Sequence, residues 1–215
     1  MIATGKLVSL FFLSAGVFFL MQLILPFVSF QLWNVLQDYS NSLLISPQPQ
    51  KNSAVLGVSV SNYDNFPAFV SNLNRPLAPP YSYFNVTVPR LNLENSPVEV
   101  ESNDLSRGLV HLPGTALPGE KGNVFVSGHS AVPLFSAFKG SAVFANLTNI
   151  KKGDQIIVEA GGAKFIYQVE QIKIVEPGDL SVVLPPDGIG RYISLMTCVP
   201  PGLNTKRLIV LGKMI

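Results

Sequence analysis

Cysteine is nearly absent from this 215-residue chain: Cys198 is the only one. An internal disulfide is therefore excluded, and so is a Cys-rich tetrahedral zinc site. Charge is also scarce. Charged residues make up 13% of the chain, against about 25% in an ordinary soluble domain. Fifteen Lys and Arg stand against 13 Asp and Glu, too even a balance for a phosphate-neutralising nucleic-acid module. Disorder is excluded from the other direction, because 47% of the residues are apolar and a disordered chain is poor in them. The 17 Gly and 17 Pro are scattered rather than periodic, so the chain is neither collagen-like nor of low complexity.

Charge is missing altogether between Lys6 and Asp38. Within that gap residues 7–30 are almost wholly apolar, long enough for the roughly 20-residue helix that crosses a bilayer. Trp33 and Tyr39 follow, at the level where amphipathic rings prefer the membrane interface. A cleaved signal peptide has a shorter apolar core and a small-residue cleavage site. The run is too long for that, and no A-x-A pattern follows it. The expectation is an uncleaved N-terminal anchor over residues 1–40, with a transmembrane helix at about 7–30 oriented N-in, C-out. The remaining domain then lies on the extracellular face of the cell membrane.

Beyond the anchor about 175 residues remain, enough for one domain with a core. Residues 41–54 are rich in Ser, Asn, Gln and Pro and read as a linker. Residues 55–82 carry Pro67, Pro76, Pro79 and Pro80 and fit an ordered arm, one short helix or a mobile flap. Residues 41–82 are thus a linker or arm, with a lid as the alternative. From Tyr83 to the C-terminus the pattern is mostly β. Short runs at Tyr83–Val88, Val98–Glu101, Val124–Ser127, Gln155–Glu159, Lys164–Val175, Arg191–Thr197 and Arg207–Lys213 alternate or are β-branched. Ala160-Gly161-Gly162-Ala163 is a tight hairpin connection. Helical signals are short: Ser102–Arg107, capped by Ser102 or Asn103, and a stretch within Leu134–Leu147 that Gly140 interrupts. Many short strands with Gly/Pro turns argue for a β-barrel or a sandwich.

Cys198 ends the run Tyr192–Cys198, and Pro200-Pro201-Gly202 follows at once. The thiol therefore sits at a strand end, beside a loop that cannot continue the sheet. A free cysteine is often a small buried hydrophobe, but a lone thiol in an exported domain is a liability unless it is used. A nucleophilic thiol needs a base or a cation nearby, because the thiolate reacts. His129 follows Val124–Ser127 and Gly128, at another strand exit. His111 lies in a turn-rich segment and reads as structural. Arg207 returns beside the thiol if residues 192–198 and 207–213 pair as antiparallel strands. Its fixed fork of N–H donors suits an oxyanion or an anchoring carbonyl.

These residues carry a family resemblance. Ser194-Leu195-Met196-Thr197-Cys198 resembles the TLxTC signature of sortases, with Ser194 in place of the first Thr. Gly202–Leu208 is similar to the loop bearing their essential arginine, and Val126-Ser127-Gly128-His129-Ser130 to the segment bearing their histidine. Gly114–Asn123 and Leu147–Asp154 also fit, so the likeness spans about residues 83–213 with its motifs in order. It implies a closed eight-stranded β-barrel with short helices, over residues 83–215. It also implies a cysteine transpeptidase that cuts an LPxTG-type sorting signal between Thr and Gly. Cys198 would form a thioester, His129 would move the protons, and Arg207 would hold the oxyanion or the substrate backbone. Thr197 would offer its hydroxyl or backbone N–H. No cofactor and no metal are implied. The implied partners are secreted proteins with a C-terminal sorting signal, and an amine on the cell wall or a pilin. Tyr167–Pro177 and Gly202–Thr205 resemble the pilus-polymerising members, whose lid carries an Asp-Pro-aromatic plug. Asp64-Asn65-Phe66 is a degenerate version, and a wall-anchoring class is the conservative choice. A cysteine hydrolase using water, or a non-catalytic peptide-binding barrel, would carry many of the same residues. Leu112-Pro113-Gly114-Thr115 reads as a turn, and the sequons at Asn85 and Asn146 are assigned nothing.

Overall fold

The structure, a computed structural model, describes residues 11–22, 24, 25, 28, 29, 57–63, 66–73, 75–130, 142–201 and 205–215. The chain divides into two units, Met1–Pro47 and Gln48–Ile215. In the first unit residues 11–22, 24, 25, 28 and 29 are helical, and the large apolar side chains described there are exposed. Among the described residues no helix is long and apolar enough to cross a membrane. The expected span 7–30 lies partly outside the described residues.

The second unit is mainly β. Its first two strands, β1 (Val58–Tyr63) and β2 (Phe66–Ser71), pair only with each other. Eight more close a barrel: β3 (Tyr83–Val88), β4 (Leu93–Glu99), β5 (Leu109–His111), β6 (Gly122–Ser127), β7 (Gln155–Ala160), β8 (Ala163–Val175), β9 (Arg191–Val199) and β10 (Lys206–Met214). The order around the barrel is β10-β8-β7-β3-β4-β5-β6-β9. Closure leaves no open sheet edge to template aggregation. Two contacts, β4 with β5 and β6 with β9, are parallel; the other ladders are antiparallel.

Local chemistry explains several of these elements. β7 and β3 alternate buried and less buried residues, the period-2 pattern of a half-buried strand. Gly161 and Gly162 both take positive φ, 57° and 80°, which lets a two-residue turn join β7 to β8 with the right twist. A Cβ on Gly212 would press on Ile193, Ile156 and Tyr167. Strands β7, β8, β9 and β10 therefore meet closely inside the barrel. Val124, Val126, Leu195, Leu208 and Val210 are fully or nearly fully buried there too.

β9 is buried along almost its whole length rather than at alternate residues. Its second face is covered from outside. Val58 and Phe69 of the β1–β2 hairpin cluster with Leu112, Phe125, Val183, Met196 and Ile209, and the Phe69 and Phe125 ring centroids are 5.9 Å apart. The hairpin is tied down by polar contacts as well. The Asn103 side chain accepts from the Ser71 N–H and donates to the Ser71 carbonyl, both at 3.1 Å. Arg75 grips both Glu120 oxygens at 2.6 and 2.7 Å and donates to the Thr115 carbonyl at 2.8 Å. Leu73 lies against Gly57 and Gly114, whose positive φ values and missing Cβ atoms make room for it. On the other flank a 3-10 turn, Leu180–Val183, is stitched down by Asn123, whose amide donates to the Val183 carbonyl at 3.0 Å.

Some expected elements differ. The arm contains a hairpin; Pro67 sits in a two-stranded ribbon, where a missing N–H is tolerated. Ser102–Arg107 is only a 3-10 turn, Leu105–Arg107, whose N-terminal Asp104 accepts from the Ser106 N–H. The candidate cap Asn103 is spent on Ser71 instead. The turn-rich segment around His111 holds the short strand β5. Residues 134–141 of the second expected helix, and Asp64-Asn65 of the degenerate plug, lie outside the described residues; Leu147–Asn149 is a 3-10 turn.

His111 is fully buried. Its Nδ1 accepts from the Glu101 N–H at 3.4 Å, so Nε2 carries the proton and faces the Ala116 carbonyl at 3.0 Å and the Thr115 hydroxyl at 2.9 Å. Burial pushes its pKa down to about 4. The ring is neutral at pH 7, and its 3.9 Å approach to Glu101 is no ion pair. The unfolded chain takes up a proton near pH 6.5 that the folded chain refuses until about pH 4. Stability should therefore fall by about 3 kcal/mol as pH drops through that window. Denaturant titrations of the wild type and His111→Gln measure this: the variant should lack most of that slope, and equal slopes would remove His111 as its source.

Candidate active site

The site is built from the registers of three neighbouring strands. In the antiparallel ladder Cys198 of β9 lies directly opposite Arg207 of β10. Residues opposed in this way share a face, with Cβ atoms about 5 Å apart. On the other side of β9 the parallel ladder with β6 ends at Ser127 opposite Met196. Two residues on from Met196 along β9 stands Cys198, and two residues on from Ser127, past the end of β6, stands His129. Cys198 and Arg207 thus share one lateral row, and His129 follows the end of β6 on the other side of the thiol's strand. The row lies on the outer face of the barrel, as the period-2 alternation sets it in line with Met196 and Ile209 of the outer cluster.

Hydrogen bonds hold the exit of β6 against β9. Gly128 N–H donates to the Met196 carbonyl at 3.0 Å, and the Thr197 hydroxyl donates to the Gly128 carbonyl at 2.8 Å. One residue on, the His129 carbonyl accepts from Phe144 N–H at 3.1 Å. The backbone on both sides of His129 is thereby fixed. Thr197, expected to offer its hydroxyl or its backbone N–H, donates that hydroxyl to the Gly128 carbonyl and is 1% exposed. Its side chain acts on the position of the histidine strand. Gly128 has its own steric reason, since a Cβ there would run into Leu109 and Phe144. Neither role can be read from the residue types alone; the signal was their place in Ser127-Gly128-His129 and Thr197-Cys198.

Electrostatics oppose charge separation in the resting site. Cys198 and His129 are half-buried. Burial raises the thiol pKa above 9.0, while the Arg207 guanidinium pulls it back in part. Burial lowers the His129 pKa below 6.5. Arg207 is fully buried and donates to the Lys206 carbonyl at 2.9 Å. A cation held beside the thiol is arranged for a negative charge on sulfur, or on an oxygen that the sulfur attacks. Among the described residues no group of His, Cys, Asp and Glu could hold a metal ion.

Residues 86–215 match the family model of the Sortase domain. The chain belongs to the sortase family. It is 30% identical over 130 residues to Sortase D of Bacillus subtilis, covering 59% of this chain and 60% of that protein. It is 28% identical to Sortase SrtE1 of Streptomyces coelicolor, over the whole of this chain and 58% of that protein. The chain thus spans about six-tenths of the length of these curated relatives. Among solved structures it is similar to Streptococcus agalactiae sortase C1, with a TM-score of 0.54 and 34% identity over 62% of this chain and 69% of that one. Streptococcus pneumoniae Sortase C gives a TM-score of 0.54 and 33% identity over 63% of this chain and 70% of that one. The mainly-β closed barrel expected from the sequence is the sortase fold.

Two outcomes follow from this geometry. Burial raises the Cys198 pKa and lowers the His129 pKa, so both shifts favour the neutral thiol and imidazole over the thiolate–imidazolium pair. Alkylation of Cys198 by iodoacetamide should be slow at pH 7, with its rate–pH midpoint above 9. Fast alkylation with a midpoint below 7 would show a preformed ion pair instead. Gly128→Ala should cost about 1–3 kcal/mol by overpacking, seen as a lower Tm; an unchanged Tm would mean that Leu109 and Phe144 move aside freely.

Proposed function

We propose that this sortase is a membrane-anchored cysteine transpeptidase acting on LPxTG-type sorting signals. The observation that carries the reading is the cross-strand pair Cys198–Arg207, with His129 at the exit of the strand on the thiol's other side, in a chain whose family is established. In this reading the Cys198 thiolate attacks the carbonyl carbon of the sorting-signal Thr. The carbonyl oxygen becomes an oxyanion beside Arg207. The Thr–Gly bond breaks as imidazolium His129 gives its proton to the leaving Gly amine, and a thioester remains on Cys198. An incoming amine then attacks the thioester, His129 takes its proton, and the Cys198 thiolate leaves. The acceptor amine belongs to the cell wall or to a pilin; the similar streptococcal sortases C favour the pilin.

Residues 7–30 serve as the anchor in this proposal, with the barrel on the extracellular face. The length and apolarity of that run support it. The β1–β2 hairpin acts as a fixed wall beside the site rather than a lid. Its clamps at Asn103 and Arg75 and its apolar seat on Phe125, Met196 and Ile209 favour that role.

The test uses the full-length chain in detergent micelles, an LPxTG-type peptide and an oligoglycine amine. Mass spectrometry should find a thioester on Cys198 and a ligated product that needs the amine, both lost in Cys198→Ala. A thioester that only hydrolyses, whatever amine is supplied, would make the protein a hydrolase. Binding without any adduct, unchanged in Cys198→Ser, would make it a peptide-binding barrel.

A further inference from the structure

The β1–β2 ribbon has two outer edges, and they are finished differently. Asn72 N–H donates to the Gly57 carbonyl at 2.9 Å, so by alternation Ser59–Val70 and Ser61–Ala68 are the pairs that exchange ladder bonds. The intervening pairs, Val58–Ser71, Val60–Phe69 and Asn62–Pro67, turn their backbone N–H and C=O groups outward. On the β2 side that edge is closed at both ends. Asn103 takes both outward groups of Ser71, at 3.1 Å each, and Pro67 has no N–H to offer. On the β1 side no described residue hydrogen-bonds the outward groups of Val58 or Val60. Val60 shares the barrel-facing side of the ribbon with Val58, yet it is 38% exposed where Val58 is 7%. An open strand edge is a template for another strand, and folds ordinarily blunt it with Lys, Pro or a bulge. β1, Val58-Ser59-Val60-Ser61-Asn62-Tyr63, has none of the three.

We propose that the edge of β1 is a homodimer contact: it pairs antiparallel with β1 of a second copy of this chain, making one four-stranded sheet in the order β2-β1-β1-β2. The proposal does not depend on the transpeptidase reading. Three observations select a second copy as the occupant. β1 carries no charge, so an antiparallel copy sets no like charges opposite one another. Only one edge of the ribbon is open, so the pairing closes as a two-fold dimer instead of growing into a filament. A ribbon of two strands is marginal by itself, and one of four with an apolar face is not; the gain falls to both copies equally. Val58 is buried, which leaves Val60 and Asn62 as the accessible outward residues. The two-fold axis therefore passes Ser61. Val60 exchanges bonds with the partner's Asn62, and Ser61 lies opposite the partner's Ser61 in a non-hydrogen-bonded pair, with Cα atoms about 4.5 Å apart. The added strand covers the exposed Val60.

The experiment sizes the full-length chain in detergent micelles by sedimentation over a range of protein concentrations, for wild type, Val60→Pro and Val60→Lys. Wild type should pass from monomer to dimer and stop there. Val60→Pro removes an N–H that the ribbon itself does not use, as Pro67 does in β2, so its Tm should stay near that of wild type. It should raise the dimer Kd about tenfold or more, through two lost hydrogen bonds and the bulk of the ring. Val60→Lys leaves the backbone intact and should weaken the dimer likewise, which keeps the test decisive if Val60→Pro fails to fold. A disulfide supplies the second readout. In a Cys198→Ala background, Ser61→Cys should cross-link two copies under mild oxidation. Ser59→Cys should not, because its own-copy Cα atoms lie beyond the roughly 7 Å that a disulfide spans. A wild type that stays monomeric overturns the proposal. So does a dimer that both Val60 variants leave intact, which would belong to another surface such as residues 7–30. Species larger than a dimer, or equal cross-linking at 59 and 61, overturn it as well. Protection of the Val60 amide from hydrogen exchange only when an LPxTG-type peptide is added would give the edge to substrate, and would also overturn it.

Discussion

Strand β9 is held between a parallel neighbour and an antiparallel one, and the candidate site depends on the registers of those two ladders. Cys198 faces outward only because Met196 and Ser194 do, and they do because Ile193, Leu195 and Thr197 fill the other face. A slip of one residue would turn the thiol into the barrel and bring Thr197 out in its place. It would also move Arg207 out of line. The many buried apolar side chains of β6, β9 and β10 all oppose that slip. The register is thus set by the core, and the chemistry inherits its alignment from packing that has no chemical role.

The outer face adds a second constraint. A barrel strand is usually half wet, yet β9 is buried on both sides because the hairpin and the 3-10 turn Leu180–Val183 lie over it. That covering also desolvates the thiol and the imidazole. The same burial that aligns the row therefore suppresses its charged form. Arg207 works against this, since a guanidinium keeps its charge when buried and cannot be neutralised by its surroundings. Its charge lowers the Cys198 pKa against the burial that raises it.

Much of this arrangement was legible in the sequence. Period-2 alternation and Gly turns gave the barrel strands from Tyr83 onward, and the Pro-rich exit after Cys198 put the thiol at a strand end. The return of Arg207 follows from a simple pairing of the last two strands. What was not legible has physical reasons. β5 is three residues long and pairs in parallel with β4 over two positions, too short to show a period. The β1–β2 hairpin carries Pro67, which reads as a breaker but costs little in an isolated ribbon. Asn103 looked like a helix cap, because a side chain that clamps a distant backbone is locally indistinguishable from one that caps.

The placement of Thr197 shows how such a row is kept in line without adding to its charge. Its hydroxyl bridges from β9 to the Gly128 carbonyl, one residue before the histidine. A bond from the residue before the thiol to the residue before the base couples their positions directly. Gly128 permits the close approach, because any side chain there would push Leu109 and Phe144 away. The spacing of thiol and imidazole is therefore fixed by a neutral hydrogen bond and a missing Cβ. Neither perturbs the proton balance, so alignment and acidity are governed by different atoms: Thr197 and Gly128 for the first, burial and Arg207 for the second.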